Sequence, residues 1–156
     1  MMLSACSSED DNSTSPAVIT DPFSVSWSSG CRAYSTFYIL HYVTFNSVNN
    51  TFSGNSVSFS DPTCSNRFRA GNNVLGGTFS LGNDVTASGV TATQINIVYD
   101  PLKVSNVLYF DPAPFDLAYF DQSQGIVYLG DKTGASGDST GTRPTAIDFN
   151  NAWTLQ

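Results

Sequence analysis

Histidine occurs once, at His41, glutamate once, at Glu9, and Lys and Arg together only six times in 156 residues, so several classes of chemistry lack their raw material. A nucleic-acid partner draws on clustered basic side chains to displace counterions. Here the net charge is -7 and only Arg67 and Arg69 lie close together, so no nucleic-acid partner is expected. With one His and no CxxC spacing, no metal site is expected. No Gly-x-Ser-x-Gly elbow accompanies His41, which stands among Leu40, Tyr42 and Val43 and reads as a structural or pocket-lining group rather than a general base. Ala, Leu and Lys are too sparse to sustain amphipathic helices, so there is no helix to follow a glycine-rich phosphate loop. No apolar run approaches the roughly 20 residues of a membrane-spanning helix.

All but one of the thirteen acidic residues are aspartates. Most sit beside Pro, Gly or Asn, where Asp serves its own backbone hydrogen bonds, rather than in the paired arrangement that hydrolyses glycosides. The run from Asp131 to Asp138 lacks EF-hand ligand spacing and reads as a solvated turn. No catalytic apparatus and no cofactor are expected. The negative charge itself reads as colloidal solubility.

What the chain has is 13% aromatic residues, with abundant Gly, Ser, Thr and Asn. That composition predicts an all-β protein, and its length predicts one domain able to bury roughly 70% of the surface its unfolded form exposes. Residues 1–16 stand apart. Leu3-Ser-Ala-Cys6 fills the four positions of a bacterial lipobox, in which the Cys is acylated and becomes the mature N-terminus. The basic and apolar parts of a full signal peptide do not precede it, which reads as a late-called gene start or a trimmed chain. A polar, acidic run from Ser7 to Pro16 comes next, the composition of a flexible tether. The expectation is lipidation at Cys6, and Ser7 behind it agrees with an outer-membrane lipoprotein of a Gram-negative bacterium, outside the cytoplasm.

Residues 17–156 are expected to form a single β-barrel domain, opening with the apolar run Ala17 to Ile19 and a turn at Asp21-Pro22. Between Tyr34 and Phe45 the positions Phe37, Ile39, His41, Val43 and Phe45 share one face, and Tyr34, Tyr38, Leu40 and Tyr42 the other. Both are apolar, so this strand needs cover on each side. Asn46 to Asn50 turns the chain, and Thr51 to Ser60 returns with Phe52, Val57 and Phe59. Further strands are expected at Val74–Leu81 with a glycine break, Val85–Tyr99, Val104–Phe110, Leu117–Phe120, Gly125–Leu129 and Ile147–Leu155. About eight antiparallel strands in a meander fit an up-and-down barrel, closed or partly open, whose closure removes exposed edges. A two-sheet sandwich is the competing arrangement.

If Cys6 is acylated, Cys31 and Cys64 remain as a pair, one at each outer end of the proposed hairpin, in a chain that the lipobox places outside the reducing cytosol. A disulfide is expected there. Closing a loop of about 34 residues contributes roughly 3 to 4 kcal/mol in the chain-entropy model.

At Trp27-x3-Cys31, the paired aromatic strands, Phe59-x-Asp61-x2-Cys64 and the later Gly77-Thr-Phe, the chain resembles the extracellular domain of the family called adenomatosis polyposis coli down-regulated. It is also similar to small bacterial lipoproteins that end in a Leu-Gly-Asp, loop, Arg-Pro-Thr-Ala stretch, as Leu129 to Asp131 and Arg143 to Ala146 do. The resemblance implies a curved, lipocalin-like barrel with a hydrophobic, lipid-binding cavity. The Wnt inhibition associated with the eukaryotic family is not carried over to this single, cysteine-poor domain. The leading functional expectation is a lipid-anchored binding protein for a hydrophobic or amphipathic small molecule, not an enzyme. Its expected lining is Trp27, Phe37, Tyr38, Ile39, His41, Tyr42, Phe52, Phe59, Tyr109 and Trp153. The alternative is a structural or adhesive surface module with a filled core and no small ligand.

Overall fold

The computed structural model describes residues 19–68, 73–103 and 113–156. Its strands are β1 (Ser26–Tyr34), β2 (Phe37–Asn46), β3 (Thr51–Phe59), β4 (Asn73–Ala87), β5 (Val90–Tyr99), β6 (Phe115–Asp121), β7 (Ile126–Gly130) and β8 (Ile147–Leu155). Each pairs antiparallel with the next, and β1 pairs with β8 through Trp27 opposite Leu155 and Ser28 opposite Thr154. The meander therefore closes into an eight-stranded up-and-down barrel of the lipocalin-like kind, with every strand edge hydrogen-bonded to a neighbour.

The number of strands agrees with the sequence pattern, but their membership differs. The stretch expected to run unbroken from Tyr34 to Phe45 begins instead with a tight hairpin at Ser35, whose φ of 53° turns the chain between β1 and β2. Val85–Tyr99 is likewise two strands, because Ser88 and Gly89, with φ of 49° and 80°, form a two-residue hairpin turn. The glycines at 76 and 77 do not break β4. A Cβ on Gly77 would lie 2.0 Å from Val98 O and 2.9 Å from the Phe52 ring, so glycine there lets neighbouring backbone approach. The stretch Val104–Phe110 lies outside the described residues, and the ring of eight closes without it.

Strand alternation decides which face of β2 looks inward. Ile39, His41, Val43 and Phe45 are buried, while Tyr38, Leu40 and Tyr42 between them are half-buried on the outer face. Carried across the ladder, the inward set includes Trp27, Phe52, Phe79, Ile97, Val127 and Trp153, which join Val43 and Phe45 in one cluster. Rings meet across the axis: Trp27 of β1 stands edge-on to Phe120 of β6 at 5.8 Å. Burying each such side chain stabilises by about 1.5–3 kcal/mol relative to exposure.

One end of the barrel is stopped by the segment before β1. Ile19 and Phe23 join the interior cluster, with Phe23 edge-on to Phe45 at 5.8 Å and 5.9 Å from Phe79. The Trp27 indole donates to Pro22 O at 2.9 Å. Asp21 accepts from the Ser47 and Ser24 hydroxyls and from the Phe23 N–H, and these bonds, Ser47 first, hold its carboxyl below the usual range. The opposite end, where the β1–β2 turn, the last residues of β3 and β5 and the end of β7 lie, is the mouth of the barrel.

Cys31 and Cys64 are bonded, with Cα atoms 5.7 Å apart. The bridge runs from the outer face of β1 to the loop after β3, so Cys31 is not the outer end of a two-strand hairpin. Cys31, Leu40 and Val57 stand in register on that outer face. The loop folds back along β3 through Ser60 N–H to Asn66 O and Phe68 N–H to Ser58 O. Asp61 organises it by accepting from the Thr63 hydroxyl and from the N–H groups of Asn66, Ser65 and Thr63, which lowers its pKa to about 2. Those bonds persist above the ordinary carboxylate range and are lost as pH falls through that value. Reducing the bridge or substituting Cys31→Ser is expected to lower the unfolding free energy by roughly 3 to 4 kcal/mol. Urea titration under oxidising and reducing conditions checks this, and identical midpoints would contradict it.

Candidate functional site

Of the ten side chains expected to line a ligand cavity, the nine among the described residues divide between the two faces of the barrel wall. Trp27, Ile39, His41, Phe52 and Trp153 do face inward and are buried. They are packed on neighbours: His41 stacks at 6.2 Å on Trp153, and Phe52 meets Phe45 at 6.1 Å and Tyr99 at 5.6 Å. Among the described residues, the void that Trp27, Val43, Phe45, Val127, Leu129 and Trp153 leave between them on the axis is about 20 Å³. That is room for at most a single water. Tyr38, Tyr42 and Phe59 are on the other face, since Tyr38 pairs with Phe59 and Tyr42 with Ser28 and Asn55, alternating with the inward residues. Phe37 sits at the rim, stacked at 6.2 Å on the exposed Phe68. Tyr109 and Cys6 lie outside the described residues.

The open space lies beside the core, at the mouth, where a cleft of about 300 Å³ borders Trp153. A β-bulge builds one wall. Between Ser28 and Cys31 the first strand carries one residue more than β2, so alternation shifts and Arg32 comes to share the inward face with Ile39. The Ser29 hydroxyl fills the gap by accepting the His41 N–H at 3.0 Å. Arg32 then lies over the Trp153 ring, 5.2 Å from its centroid, and donates to Ser29 O at 3.1 Å and Asn151 O at 3.5 Å. Trp153 thus meets both the His41 ring and a guanidinium.

The other wall comes from β7, β8 and the turn between them. Four residues of β8, 148–151, stand opposite the single Leu129, an irregularity that points Asp148 and Asn151 into the cleft. Asp148 accepts from the Asn150 N–H and from the Asn151 side-chain amide. Asp131 accepts the Thr133 N–H at 2.8 Å, and this bond, with one from the Thr133 hydroxyl, keeps its carboxyl below the usual range. Lys132 reaches the fully buried Asp116 at 3.2 Å. Asp116 in turn accepts the N–H groups of Gly130, Ala113 and Leu117.

A second cleft of about 310 Å³ lies outside the barrel, between β4, β5 and the segment 140–145. Arg143 pins that segment by donating to Ile95 O at 3.0 Å, Asp116 O at 2.6 Å and Asn96 Oδ1 at 2.5 Å, and burial lowers its pKa against the opposing charge of Asp116. Pro144 is fully buried against Gly130, where a Cβ would come within 2.5 Å of the proline ring and 2.6 Å of Asp116 Oδ1. The Leu-Gly-Asp and Arg-Pro-Thr-Ala stretches are thus two halves of one latch over the outer face.

Sequence reasoning did not single out Arg32, Lys132, Asp148 or Asn151. The available signal was Ser28-Ser-Gly30 before Cys31, a bulge sequence that reverses the inward–outward parity of Cys31 and the residues after it. Among the described residues no three His, Cys, Asp or Glu side chains cluster as a metal site, and no helix is long and apolar enough to cross a membrane. Fold and site together define a small, disulfide-stapled antiparallel barrel with an aromatic cluster packed among its described inward residues and a polar cleft at its mouth. Comparison with known protein families and with curated protein sequences finds no match to this chain.

Gly130→Ala is expected to cost about 1–3 kcal/mol, since the added methyl must displace a buried proline or a buried carboxylate. Urea unfolding checks this. A midpoint unchanged from the parent would show that Pro144 and Asp116 yield freely and that the latch is not packed.

Proposed function

We propose that this protein is an extracytoplasmic, lipid-anchored binding protein that meets a small polar or amphipathic ligand at the barrel mouth. The observation that carries the reading is the contrast between a filled axis, with a void of about 20 Å³, and an open cleft of about 300 Å³ beside Trp153. Small-molecule sites begin at roughly 300 Å³, so an acyl chain has no room on the axis while the mouth reaches the lower bound. On this reading the likeness to the adenomatosis polyposis coli down-regulated domain concerns the barrel, and the ligand site has moved to the rim. The Cys31–Cys64 bridge fits an oxidising compartment. Anchoring through Cys6 to an outer membrane, and the absence of enzymatic activity, belong to the same proposal.

A second reading is favoured by a different observation. Tyr119, Tyr128 and Phe149 cluster on the outside of β6, β7 and β8 with ring centroids 5.2 to 6.1 Å apart, and Phe149 is 46% exposed. A filled barrel with aromatic groups on its outer wall also suits a structural or adhesive surface module.

A fluorescent fatty acid at micromolar concentration separates the outcomes for the axis. No binding is expected, and binding accompanied by altered Phe45 and Phe52 resonances would overturn the mouth reading in favour of an axial lipid site. For the anchor, Cys6→Ser expressed with its native upstream sequence is expected to leave the membrane fraction. A variant that partitions as the parent does would refute lipidation there.

A further inference from the structure

We propose that the mouth cleft takes a neutral polyhydroxylated ligand, a mono- or disaccharide unit, an inference that rests on the cleft being the binding site. The chain carries a net charge of -7, yet two cations, Arg32 and Lys132, face two carboxylates, Asp131 and Asp148, in the cleft, and with the buried Asp116 behind Lys132 the group stands within one charge of neutral. Each of these charges already has a partner. Lys132 neutralises Asp116, whose side chain is 0% exposed. Drawing Lys132 away to bind an anion would leave a buried carboxylate without its counter-charge, among the costliest changes a folded protein undergoes. Arg32 is committed to the Trp153 face and to two backbone carbonyls. Asp148 accepts from the Asn150 N–H and the Asn151 side-chain amide, and Asp131 from the Thr133 N–H. A cation would have to compete with Arg32 and Lys132 across a cleft only about 300 Å³ in volume.

A sugar hydroxyl donates and accepts at once, so it adds to this network without dismantling it. An ionised carboxylate has about four lone-pair sites, and the bonds from Thr133 to Asp131 and from Asn150 and Asn151 to Asp148 are two to each. Asn151 and Thr133 supply further mixed donors and acceptors, and Leu129 and Trp153 supply the apolar part of the lining, suited to ring C–H groups. At about 300 Å³ the cleft stands at the small end of ligand sites, the size of one or two rings rather than a long chain. The Arg32, Trp153 and His41 stack and the two strand irregularities fix these groups before a ligand arrives, which limits the entropy lost on binding.

The test is a titration of ¹⁵N-labelled protein followed by ¹H–¹⁵N correlation spectra, with glucose, galactose and N-acetylglucosamine against acetate as anion, choline as cation and glycine as zwitterion. At least one sugar at millimolar concentration is expected to shift the Trp153 indole and Arg32 Nε signals, with acetate, choline and glycine inert at equal concentration. Thr133→Val, which keeps the backbone bond to Asp131 and removes a hydroxyl, and Asn151→Ala are each expected to weaken that binding roughly 10-fold, the effect of one hydrogen bond in a partly charged network. Thr145→Val, in the outer cleft, is expected to leave it unchanged. Shifts from acetate, choline or glycine alone would overturn the sugar assignment while leaving the cleft as a binding site. Silence of the cleft signals to every probe would overturn both.

Discussion

An eight-stranded barrel encloses a narrow space, just wide enough for the inward side chains to meet across the axis or for one small ligand to sit between them. Which of these happens is decided by residue size, and here the inward positions hold Trp27, Phe45, Phe52, Phe79, Phe120 and Trp153, with Phe23 added from outside the strands. Rings that touch at 5 to 6 Å leave no volume for a guest. That packing also shapes both ends of the barrel. The segment before β1 serves as a stopper because Phe23 and Ile19 complete the cluster at one end, and the ligand-accessible space is displaced to the other end, where inward positions change from aromatic to polar.

That change of character depends on strand irregularities. A regular ladder would have continued the alternation of β1 and sent Arg32 to the outside. The extra residue between Ser28 and Cys31 re-aims it onto Trp153, and the wider irregularity in β8 does the same for Asp148 and Asn151. Cleft and core are therefore two results of one register. The core needs the alternation kept through Val43, Ile39 and their partners, and the cleft needs it broken at two places near the mouth. The bridge from Cys31 to Cys64 and the latch of Gly130, Pro144 and Arg143 hold the outer side of the sheet next to those breaks.

Period-two patterns in Tyr34–Phe45 and Thr51–Ser60 made the hairpin of β2 and β3 legible, and cysteine arithmetic made the Cys31–Cys64 pair legible before any geometry was known. Composition excluded helices, and the sequence-adjacent strands pointed to a meander that closes. Two turns escaped notice because their residues are not the usual hairpin pairs: Ser35 and Ser88 adopt positive φ with a side chain present, and only Gly89 marks the second turn. The face of β2 that points inward could not be read because both faces are apolar, one toward the core and one carrying Leu40 in register with Cys31 and Val57 on the outside. The cleft was invisible for a further reason. Its polar lining is six ordinary side chains scattered from Arg32 to Asn151, and changes of strand parity bring Arg32, Asp148 and Asn151 to the others.

The claim on which the account turns is that the axis is solid. Crystals of the protein equilibrated under xenon pressure test it directly, because xenon enters dry apolar voids of sufficient size and scatters strongly. The account predicts no xenon among Trp27, Val43, Phe45, Val127 and Trp153, where the void is about 20 Å³. A well-occupied xenon site on the axis would contradict it and return the interior to consideration as the ligand cavity.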